Sequence, residues 1–204
     1  MPSSILIATN NAHKLQEFRE IFSQFGAGRI QLLTPLGEGL SLDPEETADT
    51  YLGNARIKAR AFHSARPDLW ILADDSGLEV DALNGGPGIR SARYHASAPN
   101  RDGCAALLDA MAGVPADNRA ARFRAVIVLI SPEGHEQIFE ATCEGSIGFD
   151  KRGVGGFGFD PVFRIAADTR HMAELPSAEK HRISHRGRAA QQLIAQLGFA
   201  QKVR

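Results

Sequence analysis

Two adjacent aspartates offer the clearest acid chemistry in this sequence. Asp74 and Asp75 come directly after the apolar run Leu69–Ala73 and directly before Ser76 and Gly77. Neighbouring side chains in a regular strand point to opposite faces, so both carboxylates reach one cation only if the chain turns. Serine and glycine are typical turn residues. We therefore expect a strand that ends at a sheet edge, where a divalent cation and its ligand reach the acids. Taken alone, the pair fits an acidic loop that caps a core strand equally well.

The segment TNNAHK is a second candidate site, a polar turn between the first predicted strand and its helix. Backbone N–H groups at a helix start attract phosphate, and Lys14 adds a positive charge in the first turn. The alternative is that Asn11 caps the helix and Lys14 is solvated. The turn lacks the glycines of a Walker loop. Its candidate residues are Thr9, Asn10, Asn11, Ala12, His13 and Lys14.

Two further segments combine residue types that suit a nucleotide. In Gly153–Pro161 (GVGGFGFDP), glycines allow close approach to a flat ligand, and Phe157 or Phe159 can stack on it. The alternative places these aromatic rings in the core. Ser177–Arg188 (SAEKHRISHRGR) clusters donors for an oxygen-rich ligand, and the Arg186 fork suits a carbonyl or phosphate oxygen. The alternative there is a solvated basic helix end.

Composition excludes several classes of function. Lys and Arg total 23 against 24 Asp and Glu, a formal charge of −1, so no global field favours nucleic acid or a membrane surface. The sequence has no apolar run near the roughly 20 residues of a membrane span and no secretory signal pattern, so we expect a cytoplasmic protein. Cys104 and Cys143 are predicted to be small buried residues, and the histidine spacing predicts no zinc site.

The elements that must position these residues alternate between strand and helix. We predict one α/β domain over residues 1–204, a mixed sheet with helices packed on it. The predicted strands are 4–9, 29–33, one that ends at Asp74, 78–80, and the hairpin 122–131 with 137–144. Four helices are predicted: one that ends at Gly26, two that span about 50–64 and about 100–111, and one that ends at Gly198. The segment 84–88 is expected to be irregular.

Taken together, the motifs closely resemble the inosine triphosphate pyrophosphatase (Ham1-like) family. They are TNNAHK, the helix motif at Gly53–Ala59, LADDSGLEVDAL, GGPGIRSARY, GGFGFDPVF and EKHRISHRG. The resemblance implies an elongated α/β fold with two lobes around a central substrate cleft, usually in a homodimer. It also implies Mg²⁺-dependent hydrolysis of dITP, ITP and XTP to the monophosphate and pyrophosphate, which removes deaminated purines from the nucleotide pool.

The same resemblance implies roles for individual residues. Asp75 matches the catalytic acid and metal ligand, with Asp74 beside it and either Glu45 or Glu46 helping with the ion. Thr9–Lys14 and Lys58 would hold the triphosphate. The helix motif usually begins with Glu, whereas this chain has Gly53. Positions that would surround the substrate are Ser76, Phe157, Gly158, Phe159, Asp160, Lys180, His185 and Arg186.

Purine selection is expected to depend on the atom at position six of the base. Arg186, His185 or a loop N–H donates to the carbonyl of hypoxanthine or xanthine, whereas the amino group of adenine would meet donor with donor. Unpaired buried groups cost roughly 1–3 kcal/mol each. Two alternatives stay open at this stage: a pyrophosphatase for pyrimidine or other modified nucleotides, and a nucleotide-binding module without hydrolysis.

Overall fold

The computed structural model describes residues 2–166 and 168–198, and within them the chain forms seven strands and six α-helices. None of the helices in these ranges combines the length and apolar content needed to cross a bilayer. In chain order the elements are β1 (Ser4–Ile7), α1 (Ala12–Gln24), β2 (Gln31–Leu33), α2 (Tyr51–Ala65), β3 (Trp70–Val80), β4 (Gly86–Gly88), α3 (Ser91–Ser97), α4 (Gly103–Ala110), β5 (Ala120–Ile130), β6 (Glu136–Ile147), β7 (Phe163–Ile165), α5 (Ser177–Ile183) and α6 (His185–Gln196).

The strands form a mixed sheet in the order β2-β1-β3-β5-β6-β7, with β4 paired to β3. β1 runs parallel to β2 and β3, whereas β4 is antiparallel to β3 and β7 to β6. The predicted mixed α/β class is therefore confirmed. The chain divides into two compact units: unit 1 comprises the residues up to Asp75, 125–141 and those from Arg186, and unit 2 comprises 76–124 and 142–185.

In unit 1, helices cover both faces of the strands. Ile5, Ile7 and Leu72 pack with α1 and α6, whereas Leu6 and Ala73 belong to the core cluster of α2. Such burial on both faces is the usual state of parallel strands. Alternate residues of β3 therefore face different helices. This alternation decides which helices surround each of the acids that follow Ala73.

The core of unit 2 is built around aromatic side chains. Phe123 of β5 and Phe163 of β7 lie in ring contact, with centroids 4.5 Å apart. Buried Arg119 donates hydrogen bonds to the carbonyls of Met111, Val114, Ile147 and Gly148. Both cysteines are buried and free, as predicted.

Most predicted elements are present, but three differ. The predicted break after Asp74 is wrong, because β3 continues through Gly77 to Val80. Gly77 is required for space rather than for a turn, since a β-carbon there would collide with the carbonyl oxygen of Gly88. The segment 84–88 is not wholly irregular, since it contains β4. The helix predicted over 100–111 is shorter in the structure, where it corresponds to α4, and a further helix that was not predicted, α3, precedes it.

The predicted hairpin is confirmed in position. β5 and β6 are neighbours in the sheet, and the amide of Ser131 donates to the carbonyl of His135 across the turn that joins them. Gly134 has φ +83°, a backbone conformation that favours glycine.

Candidate active site

Asp74 and Asp75 lie inside β3, and both are buried, with 2% and 4% of their surface exposed. Because β3 does not turn, the two carboxylates point to opposite faces of the sheet. Asp74 shares the face of Leu72, and Asp75 shares the face of Ala73. The expectation that the pair turns to serve one ion at a sheet edge is therefore wrong. The two acids have separate surroundings and separate chemistry.

Asp74 is enclosed by basic side chains of unit 1. Its Oδ2 accepts hydrogen bonds from Nε and Nη2 of Arg186 at 3.1 and 2.9 Å, and the Lys14 Nζ lies 3.3 Å from its Oδ1. Burial alone would raise the pKa of Asp74, but the charges of Lys14, Arg186 and Lys58 outweigh it and hold that pKa far below its usual value. Asp74 is therefore a fixed negative charge.

Arg186 also bonds to a second buried acid, Glu17, whose Oε2 accepts from Nη1 at 2.6 Å. With 2% exposure, the guanidinium binds two carboxylates of its own unit. Sequence reasoning expected its fork to face a ligand and did not select Glu17. A signal existed: Lys14, Glu17 and Ile21 follow the 3.6-residue spacing of the buried face of α1, so charged residues there need internal partners.

Asp74 gives the stability of the protein a definite acid dependence. An acid with a lowered folded-state pKa contributes stability above its unfolded value of 3.8, and this contribution is lost as pH falls through the folded value. We expect the urea midpoint of the wild type to fall steadily from pH 5 to pH 2. In Arg186→Met the pKa of Asp74 returns toward its unfolded value. The urea midpoint of this variant should therefore fall less than that of the wild type over the same pH interval. The fluorescence of Trp70, the single tryptophan, reports both transitions.

Asp75 faces α2, where Asn54 and Lys58 stand one helical turn apart. The Asn54 Nδ2 donates to Asp75 Oδ2 at 3.3 Å, and Lys58 Nζ lies 3.7 Å from Oδ1. α2 therefore lies over Asp75 and brings Lys58 to it. Burial raises the pKa of Asp75, and the neighbouring Glu46 and Asp74 add to this, against the opposing charges of Lys58 and Lys14.

Lys58 is ion-paired with Glu46 as well as lying beside Asp75. Burial would lower the pKa of Lys58, but the charges of Asp75, Asp74 and Glu46 exceed that effect and raise it. The ammonium group is therefore held in its charged form.

The structure separates the two acids that sequence left as alternatives for the ion. Glu46 contacts Lys58 and influences Asp75, whereas the side chain of Glu45 is exposed. Among residues 2–166 and 168–198 no group of three His, Cys, Asp or Glu side chains converges as a metal shell. Mg²⁺ commonly takes one or two carboxylates and completes its shell with water and phosphate oxygens. Asp75 with Glu46 fits that pattern.

The polar turn before α1 is a helix cap. Asn11 Oδ1 accepts from the amides of His13 and Lys14 at 3.0 and 3.2 Å, Thr9 Oγ1 accepts from the Asn11 amide, and Asn10 Nδ2 donates to the Leu42 carbonyl. The capping interpretation is confirmed, and two of the N–H groups expected to be free for phosphate are engaged. Ala12 begins the helix, and both Ala12 and His13 are exposed. Lys14 is not solvated, and burial lowers its pKa.

Unit 2 brings three predicted residues into one cluster. Asp160 Oδ2 accepts from the Phe157 amide at 2.8 Å and from Lys180 Nζ at 2.6 Å, and that ammonium lies 5.2 Å from the centroid of the Phe157 ring. Gly156 lies close enough to Asp160 that a β-carbon there would collide with its carboxylate. The loop therefore holds a half-exposed ring beside a buried cation.

The remaining candidates have other surroundings. Phe159 is buried, and its ring centroid is 4.2 Å from that of His95, so of the two aromatic residues it is the core one. Gly158 has φ +64°, and its carbonyl accepts from Cys104 Sγ. His185 is buried and stacks on Phe123 at 4.7 Å, and Ser76 lies in β3.

The fold is that of a mixed α/β protein whose charged centre places buried carboxylates beside lysine and arginine side chains. The chain belongs to the Ham1 family, whose model matches residues 5–196. It is 43% identical over 198 residues to a dITP/XTP pyrophosphatase of Symbiobacterium thermophilum, covering 95% of this chain and 94% of the relative. It is also 43% identical over 201 residues to the dITP/XTP pyrophosphatase of Methylococcus capsulatus, covering 97% of each. A solved HAM1 protein from Coxiella burnetii superposes with a TM-score of 0.82 at 37% identity, over 98% of this chain and 100% of that one.

Proposed function

We infer that this protein is a nucleoside triphosphate pyrophosphatase of the deaminated purines. It hydrolyses dITP, ITP and XTP to the monophosphate and pyrophosphate, and so keeps these bases out of the pool used for nucleic-acid synthesis. The observation that carries the site assignment is the buried Asp75 beside Lys58 and Glu46. Relatives named as dITP/XTP pyrophosphatases, matched over 94% and 97% of their length, support the same activity.

Asp75 is proposed as the proton acceptor and Lys58 as the cation for the phosphates. A nucleoside triphosphate carries about four negative charges, so attack by water requires neutralisation of its oxygens. The raised pKa of Asp75 makes it a better base than an exposed aspartate, for which pKa is near 3.9. Asp75 and Glu46 would hold Mg²⁺, which supplies positive charge to the phosphates and lowers the pKa of water. Asp74 is proposed to contribute a fixed negative charge from the opposite face of β3.

The base is proposed to lie against Phe157, with Lys180 and Asp160 fixing that ring. Stacking of a base on an aromatic side chain is worth roughly 1–3 kcal/mol. The Arg186 guanidinium donates hydrogen bonds to Asp74 and Glu17. We therefore assign the donor to the purine carbonyl to His185 or to a loop amide. A matched donor favours hypoxanthine and xanthine over adenine.

A substrate panel tests this function. We expect kcat/KM for dITP, ITP and XTP to exceed that for ATP by roughly tenfold to a hundredfold, because one unpaired buried donor costs about 1–3 kcal/mol. Pyrophosphate rather than orthophosphate should be released, and removal of divalent metal with EDTA should stop turnover. Comparable ATP turnover would contradict the purine selection. A preference for pyrimidine nucleotides, or retention of nucleotide without hydrolysis, would replace the function by one of the two alternatives.

We also propose that the protein acts as a cytoplasmic homodimer with no nucleic-acid or membrane partner. The near-zero formal charge of −1 agrees with the absence of a polyanion partner. Sedimentation equilibrium measures the oligomeric state directly.

A further inference from the structure

We propose that Gly53 is a positioning residue, whose missing side chain lets the acidic loop 45–49 pack directly on α2 and thereby places Glu46 against Lys58. The proposal rests on the proposed function for the role of Glu46 as a metal ligand. It assigns a purpose to the position at which this chain carries glycine in the helix motif.

The space at Gly53 is filled by the loop. A β-carbon built there would lie 2.5 Å from the Cβ of Ala48 and 3.0 Å from the Oγ1 of Thr50. An alanine methyl has no torsion that moves it aside, so a side chain at position 53 must displace the loop backbone. Gly53 does not have the positive φ that favours glycine, so the need is steric. Glycine is also a poorer helix former than alanine, so α2 gains no stability from it.

Hydrogen bonds connect this packing to the site. The backbone amide of Ala48 donates to Asn54 Oδ1 at 2.9 Å. The Nδ2 of the same Asn54 side chain donates to Asp75 Oδ2 at 3.3 Å. The Gly53 amide donates to Thr50 Oγ1 at 3.1 Å, which caps α2. Asn54 is fully buried, so these bonds have no water to replace them.

Glu46 lies two residues before Ala48 in the same loop and pairs with Lys58. A loop pushed away from position 53 would therefore carry Glu46 away from Lys58 and weaken the link from Asn54 to Asp75. Both proposed metal ligands depend on the same close approach. This dependence distinguishes a positioning role from a simple contribution to stability.

The test compares Gly53→Ala with the double variant Ala48→Gly/Gly53→Ala, in which the methyl that meets the new β-carbon is absent. Ala48→Gly alone controls for added loop flexibility. The first readout is hydrogen exchange of the residue-48 amide in metal-free, full-length protein. We expect Gly53→Ala to lower its protection at least tenfold and the double variant to restore it to within threefold of Ala48→Gly. Unchanged protection in Gly53→Ala would overturn the proposal.

The second readout is the affinity for Mn²⁺ alone, measured by calorimetry on the nucleotide-free protein. We expect about tenfold weaker binding in Gly53→Ala and recovery in the double variant. Equal Mn²⁺ affinity in Gly53→Ala and the wild type would overturn the proposal. A wild type that binds no Mn²⁺ would instead overturn the proposed metal site, and the exchange data would still decide the loop packing. If Gly53→Ala does not fold, folding of the double variant supports the steric cause, and failure of both contradicts it.

Discussion

Replacement of Asp75 by asparagine is expected to lower kcat for dITP by roughly 10³-fold while nucleotide binding stays measurable. The amide keeps the shape of the side chain but neither accepts a proton nor supplies an anionic metal ligand. Steady-state pyrophosphate release gives kcat, and calorimetry with a nucleotide gives the affinity. A variant that keeps most of its rate would refute the role of Asp75 as the base.

The same substitution should not destabilise the fold. Burial raises the pKa of Asp75, and an acid with a raised folded-state pKa contributes its full stability only below its unfolded value of 3.8 and loses it as pH rises through the folded value. At pH 7 the ionised group therefore costs stability, so Asp75→Asn should melt at or above the wild-type temperature. Asp68→Asn is the matched control, because that carboxylate is 62% exposed and pairs with Arg66 at the surface. It should leave kcat unchanged.

Replacement of Arg186 by methionine is expected to destabilise the protein by about 3–5 kcal/mol, because it leaves Asp74 and Glu17 buried without their shared cation. In a chain of 204 residues this corresponds to a melting temperature lower by roughly 6–20 °C. Thermal denaturation of nucleotide-free protein provides the measurement.

Arg188→Met is the control for Arg186→Met. It removes the same charge from the same helix, but Arg188 is exposed, so a change within about 0.5 kcal/mol is expected. If the two variants had the same melting temperature, the buried ion pairs of Arg186 would not be a source of stability. A double variant that also changes Glu17 to leucine should recover part of the loss, since one unpaired buried acid has then been removed.

Elements with a strong apolar period could be predicted from the sequence alone. The helices ending near Gly26 and Gly198 and the hairpin of β5 and β6 were found because each buries a face whose spacing is visible locally. The break in β3 was predicted wrongly because Asp-Asp-Ser-Gly has local turn chemistry. The partner that stabilises Asp74 in mid-strand, Arg186, is 112 residues away in sequence, so no local pattern reveals it.

The candidate site was predictable only in part for the same reason. Asp75 was predicted from the carboxylates that follow an apolar strand, whereas Lys58 came from the motif resemblance, and their 3.7 Å approach depends on the packing of α2 on β3. Glu45 and Glu46 are sequence neighbours of the same chemistry, so only the path of the loop distinguishes them. Arg186 was predicted as a donor to the base from the chemistry of its guanidinium alone. Its two internal acids, Asp74 and Glu17, belong to different elements and meet only in the folded protein.

The burial of β3 on both faces also fixes its alignment in the sheet. β3 is aligned on β1 through the partners Ile5 with Trp70 and Leu6 with Ile71. A slip of one residue would exchange the carboxylates, so that Asp75 met the guanidinium and Asp74 met α2, and it would also turn every apolar neighbour to the wrong helix. Because both residues are aspartates, a carboxylate would still meet the guanidinium, so the penalty on a misaligned chain comes from its misplaced apolar side chains, before any nucleotide is bound.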